Sequence, residues 1–219
     1  MKDRSAPALF GIVVYDGVDP IDIGGTVGVI SMARRVLPAI ESVTIAHMPG
    51  PVELAGGLTI LAQAGFADAP ACDAVIVCGG PGWRREAANP AMLAFLRDAP
   101  TAQVTSVCAG AMILGAAGLL DGRMATTRRS AVASEAQSPL QELASVAPTS
   151  RAQAAAVVED GAIVTGGGVS LAIDATLYLI GTIHGEAARA EVAEAIEYDR
   201  AYEANKNALG HVRAERAMP

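Results

Sequence analysis

Short, unbroken apolar runs alternate with longer Ala/Leu-rich segments along this chain. The runs at residues 9–15, 42–47, 74–78, 104–107, 154–158 and 162–165 mostly lack the polar alternation of a half-exposed strand. They read as strands buried on both faces. Between and after them, residues 23–35, 90–99, 111–117, 130–143 and 169–185 read as helices, and a last helix runs from 186 to at least 204. This alternation predicts right-handed crossovers and a mostly parallel central sheet with helices on both faces. Glu159-Asp160-Gly161, between the last two runs, is a hairpin signal instead, and Gly56-Gly57 marks a second hairpin or paired strand.

No internal repeat, low-complexity linker or composition break divides the chain, so a single domain over residues 1–219 is expected, with its core at about 9–198. The polar segment of about 199–219 reads as a helical tail that packs outside the core or against a second subunit, or frays past Gly210. A composition of 52% apolar and 18% charged residues excludes a disordered chain. The net charge of −7 argues against nucleic-acid binding, which needs a basic face, and 4% aromatics offer little stacking surface. The first apolar run is too short for a signal-peptide core, and no segment reaches the roughly 18 apolar residues of a membrane span. Cys72, Cys78 and Cys108 lack metal-ligand spacing and read as reduced thiols, as expected of a cytoplasmic protein with no metal or other cofactor.

In an open parallel sheet, ligands bind beyond the carboxyl ends of the strands. Three loops are placed there: residues 16–25, Gly79-Gly80-Pro81-Gly82-Trp83, and the turn at Cys108. At Cys108 an extended β-branched run passes through small residues straight into a helix, a geometry that pushes the side chain out of the sheet. The positive end of the new helix favours a thiolate there, although a small cysteine buried under a helix fits the same pattern. The glycines after residue 78 do not complete a dinucleotide fingerprint, because Arg85 stands at the last glycine position, and no phosphate-binding loop occurs elsewhere. Their use is a tight turn, or close backbone approach that presents an N–H to a ligand oxygen. Gly166-Gly167-Gly168 reads as structural. None of His47, His184 and His211 is expected at a strand-end loop. Asp19 and Asp22 are better placed, and Asp22, among apolar neighbours, reads either as a helix cap or as a partly buried acid with a raised pKa that exchanges protons near Cys108.

Several segments converge. Asp22-Ile23-Gly24-Gly25, Cys78-Gly79-Gly80-Pro81-Gly82, the stretch from Ser106 to Thr127, and Val164–Val169 with Ile173-Asp174 together resemble the DJ-1/PfpI (ThiJ) superfamily over about residues 9–198. The aspartate at position 22 brings the chain nearest to the isocyanide (isonitrile) hydratase branch. The resemblance implies a flavodoxin-like three-layer α/β sandwich, a homodimer, Cys108 as a nucleophile on an elbow, and Asp22 as its acid/base. It also implies that the backbone N–H groups of Gly80 and Ala109 form the oxyanion-type donors. Two positions depart from the family pattern: Arg128 stands where a histidine is usual, and Ala109 where the hydratases commonly carry a hydroxyl residue. If Arg128 turns inward, its fixed charge stabilises a thiolate; if outward, it is surface charge. Trp83 either walls the pocket or packs at a dimer contact.

The leading expectation is a small-molecule hydratase that converts a small, hydrophobic isocyanide to an N-formamide, with Ile21, Ile23, Val107 and Met112 as apolar surroundings. The alternatives are glyoxalase-like or amidohydrolase chemistry at the same cysteine, and a free-standing thiol redox or ligand sensor without turnover.

Overall fold

The computed structural model describes residues 1–99, 101, 103–133 and 135–214. From the N-terminus, β1 (Ala8–Val13) leads through α1 (Pro20–Ile23), a π-helical turn at Gly24–Gly28 and α2 (Val29–Ala33) into β2 (Ile40–Ala46). The hairpin marked by Gly56-Gly57 is present as antiparallel β3 (Gly50–Glu53) and β4 (Thr59–Ala62). Then come β5 (Ala64–Gly65), β6 (Ala74–Val77), α3 (Trp83–Glu86), α4 (Pro90–Arg97), β7 (Val104–Ser106) and α5 (Gly110–Ala116). The last part holds β8 (Met124–Ala125), α6 (Pro139–Val146), β9 (Arg151–Ala152), β10 (Val157–Asp160), β11 (Ile163–Gly166), α7 (Ala172–His184), α8 (Glu186–Ala195), α9 (Asp199–Leu209) and β12 (His211–Arg213).

Eight strands form the central sheet in the order β12-β10-β11-β7-β6-β1-β2-β5. The six from β11 to β5 are parallel, and β10 reverses through the second expected hairpin. The result is a flavodoxin-like three-layer sandwich: α1, α2, α7 and α8 pack together as one helix layer, and α3 to α6 form the other around α5. Phe10, Ile12, Val13, Val75, Ile76 and Val77 are fully buried between the layers, which is why these strands carry unbroken apolar runs. The chain runs outward from β1 in one direction and from β6 in the other, so the strand order switches between them. The carboxyl ends of β1, β6 and β7 lie side by side, with Val13 opposite Val77 and Val77 opposite Ser106. All three candidate loops therefore leave the same edge of the sheet at the switch point.

Two helices and the C-terminal tail differ from the sequence reading. The helix expected over 130–143 begins only at Pro139; a proline disfavours helical geometry in the residue before it, and Ser138 caps the new helix reciprocally with Gln141. The described residues between 130 and 137 instead form an irregular loop, with Ala133 at φ +51°. The single helix expected from 186 onward is broken at Ile196–Tyr198, where Glu197 takes φ +55°, giving α8 and α9. The chain does not fray immediately past Gly210: β12 joins the sheet edge parallel to β10. Asp174 in α7 anchors α9 by accepting hydrogen bonds from Tyr198 (2.9 Å) and Asn205 (3.1 Å).

The step from β7 into α5 demands close backbone approach. A Cβ added at Gly110 would lie 2.1 Å from the Val77 carbonyl oxygen, so α5 can start against β6 only with a glycine there. Gly110→Ala should lower unfolding free energy by about 3 kcal/mol or more, read as a fall in the urea midpoint. Gly28→Ala is the matched control: Gly28 has ordinary helical φ of −63° and open space at its Cβ, so this change should be neutral or stabilising by up to about 1 kcal/mol.

Candidate active site

Cys108 sits at the strand-to-helix step with φ +52°, a left-handed conformation that a residue with a side chain adopts only under constraint. The constraint comes from the backbone on three sides. Val107 N–H donates to the Val77 carbonyl (3.0 Å), Cys108 N–H to the Gly167 carbonyl (3.0 Å), and Thr127 Oγ1 to the Cys108 carbonyl (2.6 Å). Gly166-Gly167-Gly168 thus has a structural role, as read from the sequence.

Asp22 is completely buried under this elbow. It does not cap α1; Asp19 does, accepting the Ile21 N–H at 2.9 Å. Asp22 Oδ2 instead accepts the Gly79 N–H at 2.6 Å, while Oδ1 has no partner among the described residues. Gly79 is wedged between the two candidate residues: a Cβ on it would lie 2.9 Å from Cys108 Cβ and 2.4 Å from the Ala109 nitrogen. Burial raises the Asp22 carboxyl to about 7, against the weaker opposing pull of the Gly79 N–H.

At the elbow a cavity of about 370 Å³ is lined by Cys108, Ala109, Gly80, Arg128, Trp83 and Asp19, with Pro81, Arg84, Val132, Glu135 and Val169 completing the wall; Asp22 lies behind this lining and not in it. The N–H groups of Gly80 and Ala109 have no carbonyl acceptor among the described residues, and the Ala109 N–H is directed at the Cys108 sulfur. Arg128 turns inward: its side chain is 12% exposed, and Nη2 pairs with Glu135 Oε1 at 2.5 Å. Trp83 walls the cavity, with the Arg84 guanidinium 4.4 Å from its ring centroid. The apolar surroundings expected from the sequence do not materialise as a lining. Ile21 is 53% exposed, and Val107 and Met112 are fully buried behind the wall. The wall is built instead from other residues, apolar Pro81, Trp83, Val132 and Val169 together with charged Asp19, Arg84, Arg128 and Glu135.

The electrostatic balance at Cys108 also differs from the helix-dipole argument. Burial and the nearby Asp22 push the thiol up to about 12, and the Ala109 N–H and Arg128 only partly offset them. Cys108 is thus held as a thiol, and no hydrogen bond joins it to Asp22, whose Oδ2 is taken by Gly79 and whose Oδ1 has no partner among the described residues. The three histidines are elsewhere: His47 is exposed against Phe66, His184 bonds the Asp3 carbonyl, and His211 lies between Tyr178 and Tyr202. Cys78 is fully buried beside Thr26 and Cys72 bonds the Pro70 carbonyl, neither lining the cavity. Glu135 was missed in the sequence because residues 130–143 were read as one helix. The Ser138-Pro139 pair was the available signal that it lies in a loop instead.

A model of the DJ-1/PfpI family matches residues 10–181, most of the chain. The chain belongs to the DJ-1/PfpI family. An isonitrile hydratase from Pseudomonas putida is 32% identical over 171 residues, covering 77% of this chain and 69% of that protein. The HTH-type transcriptional regulator GbdR of Pseudomonas aeruginosa is 28% identical over 198 residues, which are 89% of this chain but only 52% of the regulator. Among solved structures, a ThiJ/PfpI family protein from Pseudomonas syringae superposes with a TM-score of 0.75 at 28% identity, covering 89% of this chain and 76% of that one. No helix among the described residues of this DJ-1/PfpI protein is long and apolar enough to cross a membrane.

Asp22 gives this family member a measurable pH signature. In an unfolded chain an aspartate ionises near 3.9. Between about pH 4 and 7 the folded form holds a proton that the unfolded form has lost, so the Asp22 contribution to stability falls as pH rises through that window. Ionising it in place costs roughly 4 kcal/mol by the size of the shift. Asp22→Asn should therefore gain stability relative to wild type between pH 5 and pH 8, measured by urea unfolding at both. A difference that does not change with pH would show that Asp22 is not held protonated.

Proposed function

We propose that this protein is a cysteine-dependent hydratase that adds water to a small isocyanide to give an N-formamide. The observation that carries the reading is Asp22: a buried carboxyl with one oxygen committed to Gly79 and the other unpartnered, held near neutrality beneath the elbow cysteine. A group so poised can accept and return a proton at physiological pH. The similarity to an isonitrile hydratase supports the same reading.

In the proposed reaction the Cys108 sulfur attacks the terminal isocyanide carbon and forms the C–S bond. Asp22 takes the thiol proton and delivers it to that carbon, leaving a thioimidate. Water then adds to the same carbon, and one of its protons reaches the nitrogen. The C–S bond breaks, the remaining hydroxyl proton returns to sulfur through Asp22, and the N-formamide departs. The N–H groups of Gly80 and Ala109 are the donors available to the oxygen as it becomes a carbonyl. No separate cofactor is needed for this balance, and the site is sized for a small molecule.

The charged part of the wall favours one second reading, glyoxalase-like hydration of a ketoaldehyde, because Arg128 and Arg84 suit an electron-rich carbonyl oxygen better than an alkyl group. A redox-sensor reading is disfavoured by a thiol only 3% exposed and pushed up in pKa, since sensor thiols are accessible and low in pKa. We also propose, on the resemblance, that the molecule works as a cytoplasmic homodimer.

The test is turnover of an alkyl and an aryl isocyanide beside a ketoaldehyde and a simple amide. Formamide should accumulate with wild type and not with Cys108→Ala. Activity should rise as pH increases through about 7, where Asp22 becomes the carboxylate that accepts the thiol proton. Asp22→Asn should lose that limb and at least about a hundredfold in kcat. No isocyanide turnover by wild type, or equal turnover by Cys108→Ala, would overturn the reading in favour of the other substrates in the panel.

A further inference from the structure

The mechanism above leaves one charged pair at the cavity unused. Arg128 faces Cys108 and acts on its sulfur, but two of its guanidinium nitrogens are already engaged. Nη1 donates to the Ser130 carbonyl and Nη2 to Glu135 Oε1. The other Glu135 oxygen accepts the Val132 N–H at 2.9 Å, and the Glu135 N–H returns to the Val132 carbonyl at 3.1 Å. Both carboxylate oxygens are thus committed, and the carboxylate is fixed against the guanidinium at the cavity wall. We propose that Glu135 is a positioning residue that holds Arg128 beside Cys108 and offsets much of its charge. The proposal deepens the reading of Cys108 as the reacting group and rests on it.

The physical consequence is a restrained nucleophile. The groups acting on the sulfur are Asp22 and Asp19 from the first loop, Arg128, the Ala109 N–H, and the buried Cys78 and Tyr15 side chains. Among these side chains Arg128 is the cation, so its effective charge decides how far burial keeps the proton on sulfur. Glu135 cancels much of that charge at 2.5 Å. Arg128 in turn holds the Glu135 carboxyl below its ordinary range. The pair is therefore a counter-charge that is present but masked, and whatever draws Glu135 away strengthens the pull of Arg128 on the thiolate.

The experiment is alkylation of Cys108 by neutral iodoacetamide and anionic iodoacetate, followed by mass spectrometry across pH. In this step the sulfur forms a bond to the reagent carbon, iodide leaves, and the thiol proton goes to solvent. Glu135→Gln should lower the apparent thiol pKa and speed alkylation by up to about tenfold at fixed pH, the effect of one pKa unit. It should also raise the iodoacetate-to-iodoacetamide rate ratio, because Arg128 is unmasked. Arg128→Gln should be slower than wild type, the double variant should match Arg128→Gln, and Glu135→Asp should restore wild-type behaviour. An unchanged or slower rate in Glu135→Gln, or an unchanged reagent ratio, would overturn the proposal. Failure of Cys108 to react in every variant would overturn the nucleophile assignment with it. A lack of isocyanide turnover would leave the alkylation result standing, so the two readings fail separately.

Discussion

The approach of the β7–α5 step to the end of β6 is the constraint on which the rest of this protein depends. Cys108 is held at a positive φ, and forcing a side chain into that region costs on the order of 1–2 kcal/mol. Backbone bonds from Val107 to Val77 and from Cys108 to Gly167, together with the Thr127 hydroxyl, hold it there. Gly110 and Gly79 make the geometry possible by leaving no Cβ where backbone atoms must meet. The cysteine consequently leaves the sheet edge facing the cavity, while its neighbours Val107 and Met112 remain in the core.

The same close packing determines the electrostatics. Gly79 sits against Cys108 and Ala109 and gives its N–H to the Asp22 carboxyl, so the acid is fixed close to the elbow. Burial then disfavours charge on both groups, raising the carboxyl to about 7 and the thiol further. A site of this kind does not store a free thiolate. In the proposed reaction the sulfur is activated as its proton leaves to Asp22, and the Glu135-paired charge of Arg128 is the adjustable element.

Much of the architecture was legible in the chain. Strands buried on both faces need unbroken apolar runs, and these fell at β1, β6, β7 and β11 with only small shifts at the ends, whereas half-buried β10 starts three residues later than the run at 154–158. The carboxyl-edge loops were legible for the same reason, because strand polarity in a parallel sheet fixes which end each loop leaves. The stretch 130–143 was misread: its composition suits a helix, but Ser138-Pro139 starts a new one, and the residues before it are held by the Arg128–Glu135 pair. Likewise α8 and α9 share one helical composition, and the bend at Glu197 is set by docking α9 onto Asp174.

The sequence by itself determined the layer order, the elbow at Cys108 and the presence of an acid in the first loop, since these follow from local periodicity, glycine placement and motif. Only the tertiary structure decided that Asp19 caps the helix while Asp22 is buried against Gly79, that Arg128 faces inward, and that it pairs with Glu135. It also replaced the residues expected to surround the cavity with a different set, part apolar and part charged. Each of these depends on which side chains from distant segments share one small, buried volume, and a linear pattern carries no information about that distance.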